Sequence, residues 1–128
     1  MKIITARQPW AHLIASGAKN IENRSWATSY RGPVLIHAAL QVNRPACIEH
    51  RLDPAELEKG GVVGIAEIID CVTRHTSRWF EGPYGFVLRK RQKLPFVKWT
   101  GALGLRDAPG RLLKRIDSRI LRQYRSRS

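Results

Sequence analysis

Cysteine is almost absent from this sequence, and so is any long apolar run. Two cysteines in 128 residues, Cys47 and Cys71, make no disulfide framework, and both stand among apolar neighbours, which reads as buried free thiols in a reducing cytoplasm. No stretch is apolar for long enough to span a membrane. The opening residues Met1-Lys2-Ile3-Ile4-Thr5 carry no signal-peptide core or cleavage site, so a cytoplasmic location is expected. There is no internal repeat, no low-complexity tract, no G-x-G-x-x-G, no P-loop and no H-E-x-x-H, so none of the common dinucleotide, nucleotide or zinc-protease signatures is present. Cys47-x-x-His50 has ligand-like spacing, but no second Cys/His pair lies at zinc-finger distance, and neither a metal nor a cofactor is expected.

Acidic residues are also scarce. The 10 Asp and Glu stand against 23 Lys and Arg, leaving a formal net charge of +13. Such a surface attracts polyanions at physiological salt, with nucleic acid the first suspect. Charge alone gives affinity without sequence readout, and would serve a membrane surface or an acidic partner protein equally well. At 128 residues with 43% hydrophobic side chains, the chain is long enough for one domain with a core of its own.

What is present gathers between Gln8 and Arg31. Pro9 suits the first helical turn, and Trp10, Leu13 and Ile14 fall at i, i+3, i+4 on a face that goes into the core. Gly17 stands where a left-handed helix stop is needed, which puts Lys19 on the turn beyond, able to point at a cleft. From Ile21 to Trp26 the pattern has period 2 and allows a strand on which Glu22, Arg24 and Trp26 share a face. A carboxylate, a guanidinium and an indole with Lys19 at the edge suit a flat, hydrogen-bonding, anionic-tailed ligand such as a nucleotide. They equally suit an Arg-Glu pair under a half-buried Trp. Gln8 either presents its amide to a base edge or caps the turn, the latter being the commoner role.

The remaining chain reads as scaffold. Lys2 to Thr5 is a strand, and Val34 to Ala39 a buried strand carrying His37, which is read first as a hydrogen-bonded core residue. Asn43 caps a short helix, and Asp53-Pro54 starts a second over PAELEK that ends at Gly60-Gly61. Val62 to Thr73 is the strongest strand, with Gly64 marking a bulge or a close approach. Counting by two sets Glu67 beside Val63, Ile65, Ile69 and Cys71, so an ideal strand buries this carboxylate. Unpaired, it would have the raised pKa of a general acid or base, whereas paired with a Lys or Arg it is structural or lines a cleft, the preferred reading.

Trp79 and Phe80, in the polar loop Arg74 to Pro83, stack bases or plug one end of the fold. Tyr84 to Leu88 is a strand, Leu94 to Trp99 an edge strand because of Pro95, and Gly101 to Leu105 completes the set. Together these predict a small α+β barrel of about five to six strands with flanking helices. It occupies residues 1–107. Residues 108–128 read as a basic amphipathic helix, with Leu112, Leu113, Ile116, Ile120 and Leu121 on one stripe. Arg115, Arg119, Arg122, Arg125 and Arg127 lie on the other faces, able to meet phosphates.

The segments RQPWAHLIASGAKNIENRSW, YRGPVLIHAA, GGVVGIAEIIDCV, WFEGPYGFVL and GALGL together resemble the ASCH family (activating signal cointegrator homology) from about Ile3 to Leu105. The signature G-x-K-x-x-E-x-R falls on Gly17, Lys19, Glu22 and Arg24. The resemblance implies a PUA-like β-barrel, a cleft lined by the Lys19 segment, and work on RNA or modified nucleosides. Some members of the family deacylate N4-acetylcytidine, and others are described as RNA-binding or ribonucleolytic. Lys19 matches the catalytic Lys of the deacylases, while Glu22 stands where those enzymes carry a Thr, so their nucleophilic hydroxyl is absent. Two readings follow. In the first, RNA or a nucleotide is bound by Gln8, Trp10, Arg24 and Trp26, with Arg31, His37, Trp79 and Tyr84 around them and Arg115, Arg119 and Arg122 on phosphates. In the second, Lys19 and Glu22, with Glu67 or Glu81 as the completing acid, hydrolyse the amide of a modified nucleoside.

Overall fold

The computed structural model describes residues 1–124, so Arg125 and Arg127 of the predicted tail helix lie outside the described residues. Six strands form one mixed sheet in the order β2-β5-β4-β3-β1-β6. They are β1 Lys2–Gln8, β2 Ile21–Arg24, β3 Gly32–Val42, β4 Gly61–Val72, β5 Tyr84–Lys98 and β6 Leu105–Asp107. β1 runs parallel to β3, and the other pairings are antiparallel.

The sheet is α+β in its company of short helices, but it is not the closed barrel the strand count predicted. Its edge strands, β2 and β6, have four and three residues and each pairs with a single neighbour. Closure needs a ladder between the edges. Here the sheet curls instead, with register shifts in the β4–β5 ladder between Val62 and Gly64, Ile65 and Glu67, and Ile68 and Asp70, and with Lys90 of β5 at φ +51°. Such irregularities increase local bend and twist. Gly64 is also a close approach, because a Cβ there would stand 2.6 Å from Cβ of Ala15 and 2.9 Å from O of Gln92.

Both faces of the sheet carry core, which explains the near-continuous apolar run of β4. On one face α1, Trp10–Ala15, sets Ala11, Ile14 and Ala15 against Ile36, Ala66 and Phe86. Gly17, at φ +90°, ends this helix as expected. On the other face Leu112, Ile116 and Tyr124 pack against Leu35, Ile65 and Val97. The tail therefore docks by its apolar stripe, but not as one helix. It forms α3, Gly110–Leu113, and α4, Ser118–Arg122, because Asp117 between them turns its carboxylate to the N–H of Arg119 at 2.8 Å and starts a new helix.

Two further expectations change. Tyr84–Lys98 is one bent strand, not two, and Pro95 is tolerated because the half of β5 beyond Val87 has β4 alone as ladder partner. PAELEK makes only a 3-10 turn, Pro54–Glu56, whereas Asn43 caps α2, Arg44–Glu49, as predicted, accepting from the N–H of Ala46 at 3.1 Å. Among the described residues no helix is long and apolar enough to cross a membrane, and no group of three or more His, Cys, Asp or Glu is arranged to hold a metal ion.

Candidate nucleic-acid interface

The curl of the sheet brings β2 back towards β1, although three strands separate them in the ladder order. No ladder joins them. A guanidinium does: Nη2 of Arg24 donates to O of Thr5 on β1 at 2.8 Å and to Oε2 of Glu22 at 2.8 Å. The other carboxylate oxygen of Glu22 lies 3.5 Å from Nζ of Lys19, which also donates to O of Ile21. Lys19 and Glu22 are buried, with 4% and 7% of their surface exposed. Burial pushes the Lys19 ammonium below its ordinary pKa, against the opposing pull of the Glu22 charge. The period-2 reading of β2 placed Glu22 and Arg24 side by side correctly, as an ion pair on the wall of a cleft.

That cleft is the gap the sheet leaves open. Its volume is about 1680 Å³, above the roughly 300 to 1,000 Å³ of pockets that hold one small ligand. All four tryptophans of the chain line it, and all four are half-buried. Trp26 rests edge-on against Phe86, with ring centroids 5.2 Å apart. Trp10 lies 5.8 Å from Nζ of Lys19 and meets His50 edge-on, and His50 in turn lies 5.2 Å from Trp79. Seven Lys and Arg line the cleft against three Glu: besides Lys19 and Arg24, the basic residues are Arg7, Lys59, Arg78, Lys98 and Arg111.

Not all the candidate residues gather here. His37 lines the cleft but behaves as the core histidine expected first, donating from Nε2 to O of Trp99 at 2.5 Å while Nδ1 faces Oγ1 of Thr5 at 3.3 Å. Gln8 is buried away from the cleft, its amide N–H donating to O of Glu58 at 2.7 Å and its oxygen accepting from the N–H of His12 at 2.9 Å, so it caps the turn. Glu67 does not reach the cleft either. It pairs with Arg89 at 2.6 Å, the structural pairing that was the preferred reading, and lines a separate hollow with Tyr30, Arg31 and Tyr124, so it stands away from Lys19 as a completing acid. Arg31 pairs with Asp70 at 3.6 Å, and neither it nor Tyr84 reaches the cleft. Arg119 and Arg122 are exposed on α4 outside it, Arg119 clasped by Asp117 at 3.0 Å. Arg115 donates to O of Lys98 at 3.2 Å, tying the tail to the end of β5.

Asn20 and Asn23 are residues the sequence did not single out. Asn23 donates to O of Trp79 at 2.9 Å and accepts from the N–H groups of Glu81 and Gly82 at 2.8 and 3.0 Å. Asn20 accepts from the hydroxyl of Ser77 at 2.6 Å. These bonds fix the loop that carries Arg78, Trp79 and Glu81 over the Lys19 segment. The available signal was a pair of amide side chains flanking the motif, but their partners lie 56 or more residues away in sequence.

An α+β sheet curled round an open, basic, tryptophan-lined cleft, with a buried Lys-Glu-Arg chain on its wall, defines a small cleft-bearing α+β domain. The chain belongs to the ASCH domain family, whose pattern matches residues 4–106. It is 26% identical over 111 residues to human activating signal cointegrator 1 and 30% identical over 83 residues to the mouse protein. Those matches take in 71% and 56% of this chain, but the chain spans only 19% and 14% of those relatives. A crystal structure of ASCH from Zymomonas mobilis superposes with a TM-score of 0.55 at 16% identity, over 98% of this chain and 96% of that one. A mutant of the same protein gives 0.58, over 91% and 96%. At that identity the likeness is one of fold.

Proposed function

We propose that this chain is an RNA- or nucleotide-binding ASCH domain whose cleft, walled by the G-x-K-x-x-E-x-R segment, takes bases between its tryptophans and phosphates along its basic rim. The observation that carries this reading is the convergence of all four half-buried indoles and seven basic side chains on one open cleft. Indole faces stack bases without regard to sequence, and Lys and Arg neutralise the backbone. Lys19, Glu22 and Arg24 form a fixed donor and acceptor array on the wall, suited to the edge of one unstacked base.

The test is a titration of a labelled single-stranded RNA at two salt concentrations. If the five cations beyond Lys19 and Arg24 each neutralise one phosphate, the log-log salt slope is about −3.5 and affinity falls about a hundredfold between 50 and 200 mM salt. Absent or salt-independent binding would refute the reading.

A second reading, hydrolysis of the amide in an N4-acylcytidine-type nucleoside, is favoured by one observation. Burial lowers the Lys19 pKa, so its amine is closer to a usable base than an exposed lysine. Its acid partner would be Glu22 or Glu81, both on the cleft, and not Glu67. Release of cytidine from N4-acetylcytidine, abolished in Lys19→Ala, would establish this activity, and no release would leave binding as the function.

A further inference from the structure

We infer that the segment beyond the ASCH match completes the cleft, with Arg111 and Trp99 forming a second nucleotide site, so that the ligand is a single-stranded RNA segment and not a free nucleoside. This rests on the RNA-binding reading above and adds the length of the ligand and the residues that set it.

Three observations carry it. First, the guanidinium of Arg111, in α3, lies over the Trp99 ring at 5.1 Å, just as that of Arg78 lies over Trp79 at 4.6 Å. The cleft thus holds two Arg-on-Trp stacks, one before the start of β5 and one just after its end. An exposed guanidinium plane backed by an indole is a platform on which a base extends the stack.

Second, an unbroken chain of contacts links the two stacks through the site. It runs from Trp79 to His50, Trp10 and Lys19, then through Glu22 and Arg24 to Thr5. From Thr5 it passes to His37 and O of Trp99. The outer platform is therefore held in register with the inner wall.

Third, the outer platform is built. The backbone of Trp99 is held on both sides, its N–H donating to O of Gly60 at 3.1 Å and its carbonyl accepting from His37, while Arg115, just beyond α3, donates to O of Lys98. Leu112 and Ile116 anchor the tail in the core. Lys98, next to Trp99 in the chain and also on the cleft, adds a cation for phosphate. The cleft volume, about 1680 Å³, leaves room for such a neighbour beside one base.

The experiment measures Kd by fluorescence anisotropy for a labelled mononucleotide, dinucleotide, tetranucleotide and octanucleotide of single-stranded RNA. It compares wild-type protein with Arg111→Ala and Trp99→Leu, and thermal melts check folding. Affinity is expected to rise steeply from mononucleotide to tetranucleotide. Arg111→Ala, at an exposed position, is expected to cost roughly five- to tenfold on the tetranucleotide and at least about threefold less than that on the mononucleotide. Equal wild-type affinity for mononucleotide and tetranucleotide would overturn the second site while leaving the first. A parallel loss on both in Arg111→Ala would overturn it too, making Arg111 a structural residue. No binding of any length would remove the RNA reading itself.

Discussion

Glu22→Gln is the sharpest probe of the cleft wall, because it removes one charge and almost no volume. In the wild-type protein this buried carboxylate faces two cations, Arg24 at 2.8 Å and Lys19 at 3.5 Å. The Gln oxygen can still accept from Arg24, but the Lys19 ammonium then keeps only the carbonyl of Ile21 and the weaker pull of Glu81. Breaking a buried pair from one side costs about 3 to 5 kcal/mol. The retained acceptor and the partial exposure of Arg24 lower the expectation here to about 2 to 4 kcal/mol at pH 7.

The pH dependence identifies the cause. The folded pKa of Lys19 already lies below its unfolded value through burial, and Glu22 is the largest influence holding it up. Without that carboxylate the folded pKa falls further, so in alkaline solution the unfolded chain binds more protons than the folded one. Stability then rises with pH more steeply in the variant than in the wild type, up to the unfolded lysine pKa near 10.4. Urea denaturation of both proteins at intervals from pH 7 to pH 10 should show the deficit shrinking as pH rises. A deficit below about 1 kcal/mol, or one that stays constant with pH, would refute the charge argument.

Asn23→Ala removes three hydrogen bonds to the loop carrying Trp79, so amide exchange at residues 77–82 should speed up and RNA affinity should drop with little change in the salt slope. Glu67→Gln breaks an ion pair with a largely exposed Arg89, so it should cost under about 1 kcal/mol and leave RNA binding and any deacylation unchanged, as measured by melting, titration and turnover.

What was legible in the sequence was whatever depends on near neighbours. Gly17 ends α1, the alternation in β2 puts Glu22 beside Arg24, and the Val-Ile run of β4 reports burial on both faces. What was not legible depends on accumulated geometry. The register shifts between β4 and β5 that curl the sheet, and the Arg89 that they bring opposite Glu67 from 22 residues away, are announced by no local pattern. The tail shows the same limit in a different form. Its apolar spacing correctly gave the docking stripe, but Asp117 interrupts the helix with a cap that hydrophobic periodicity does not weigh. The cleft itself was hidden because it is a property of sheet curvature, and its outer indole, Trp99, became relevant only once α3 set Arg111 against it.

The open sheet and the site are one fact. A ladder between β2 and β1 would satisfy their backbones and fill the gap, whereas the Arg24 guanidinium spans it with one hydrogen bond to Thr5 and leaves the space beside it free. The residues that line the cleft therefore also hold it open. This constrains what Lys19 can do. An ammonium has three donors, and Lys19 commits one to the carbonyl of Ile21 and one towards Glu22, leaving a single N–H for a ligand. Acting as a base would require it to give up its proton and forfeit donation to both. Binding requires no such loss, because both existing hydrogen bonds can stay in place while the charge is kept. On this ground the wall is better suited to presenting a fixed pattern of charge and donors to a base than to moving a proton.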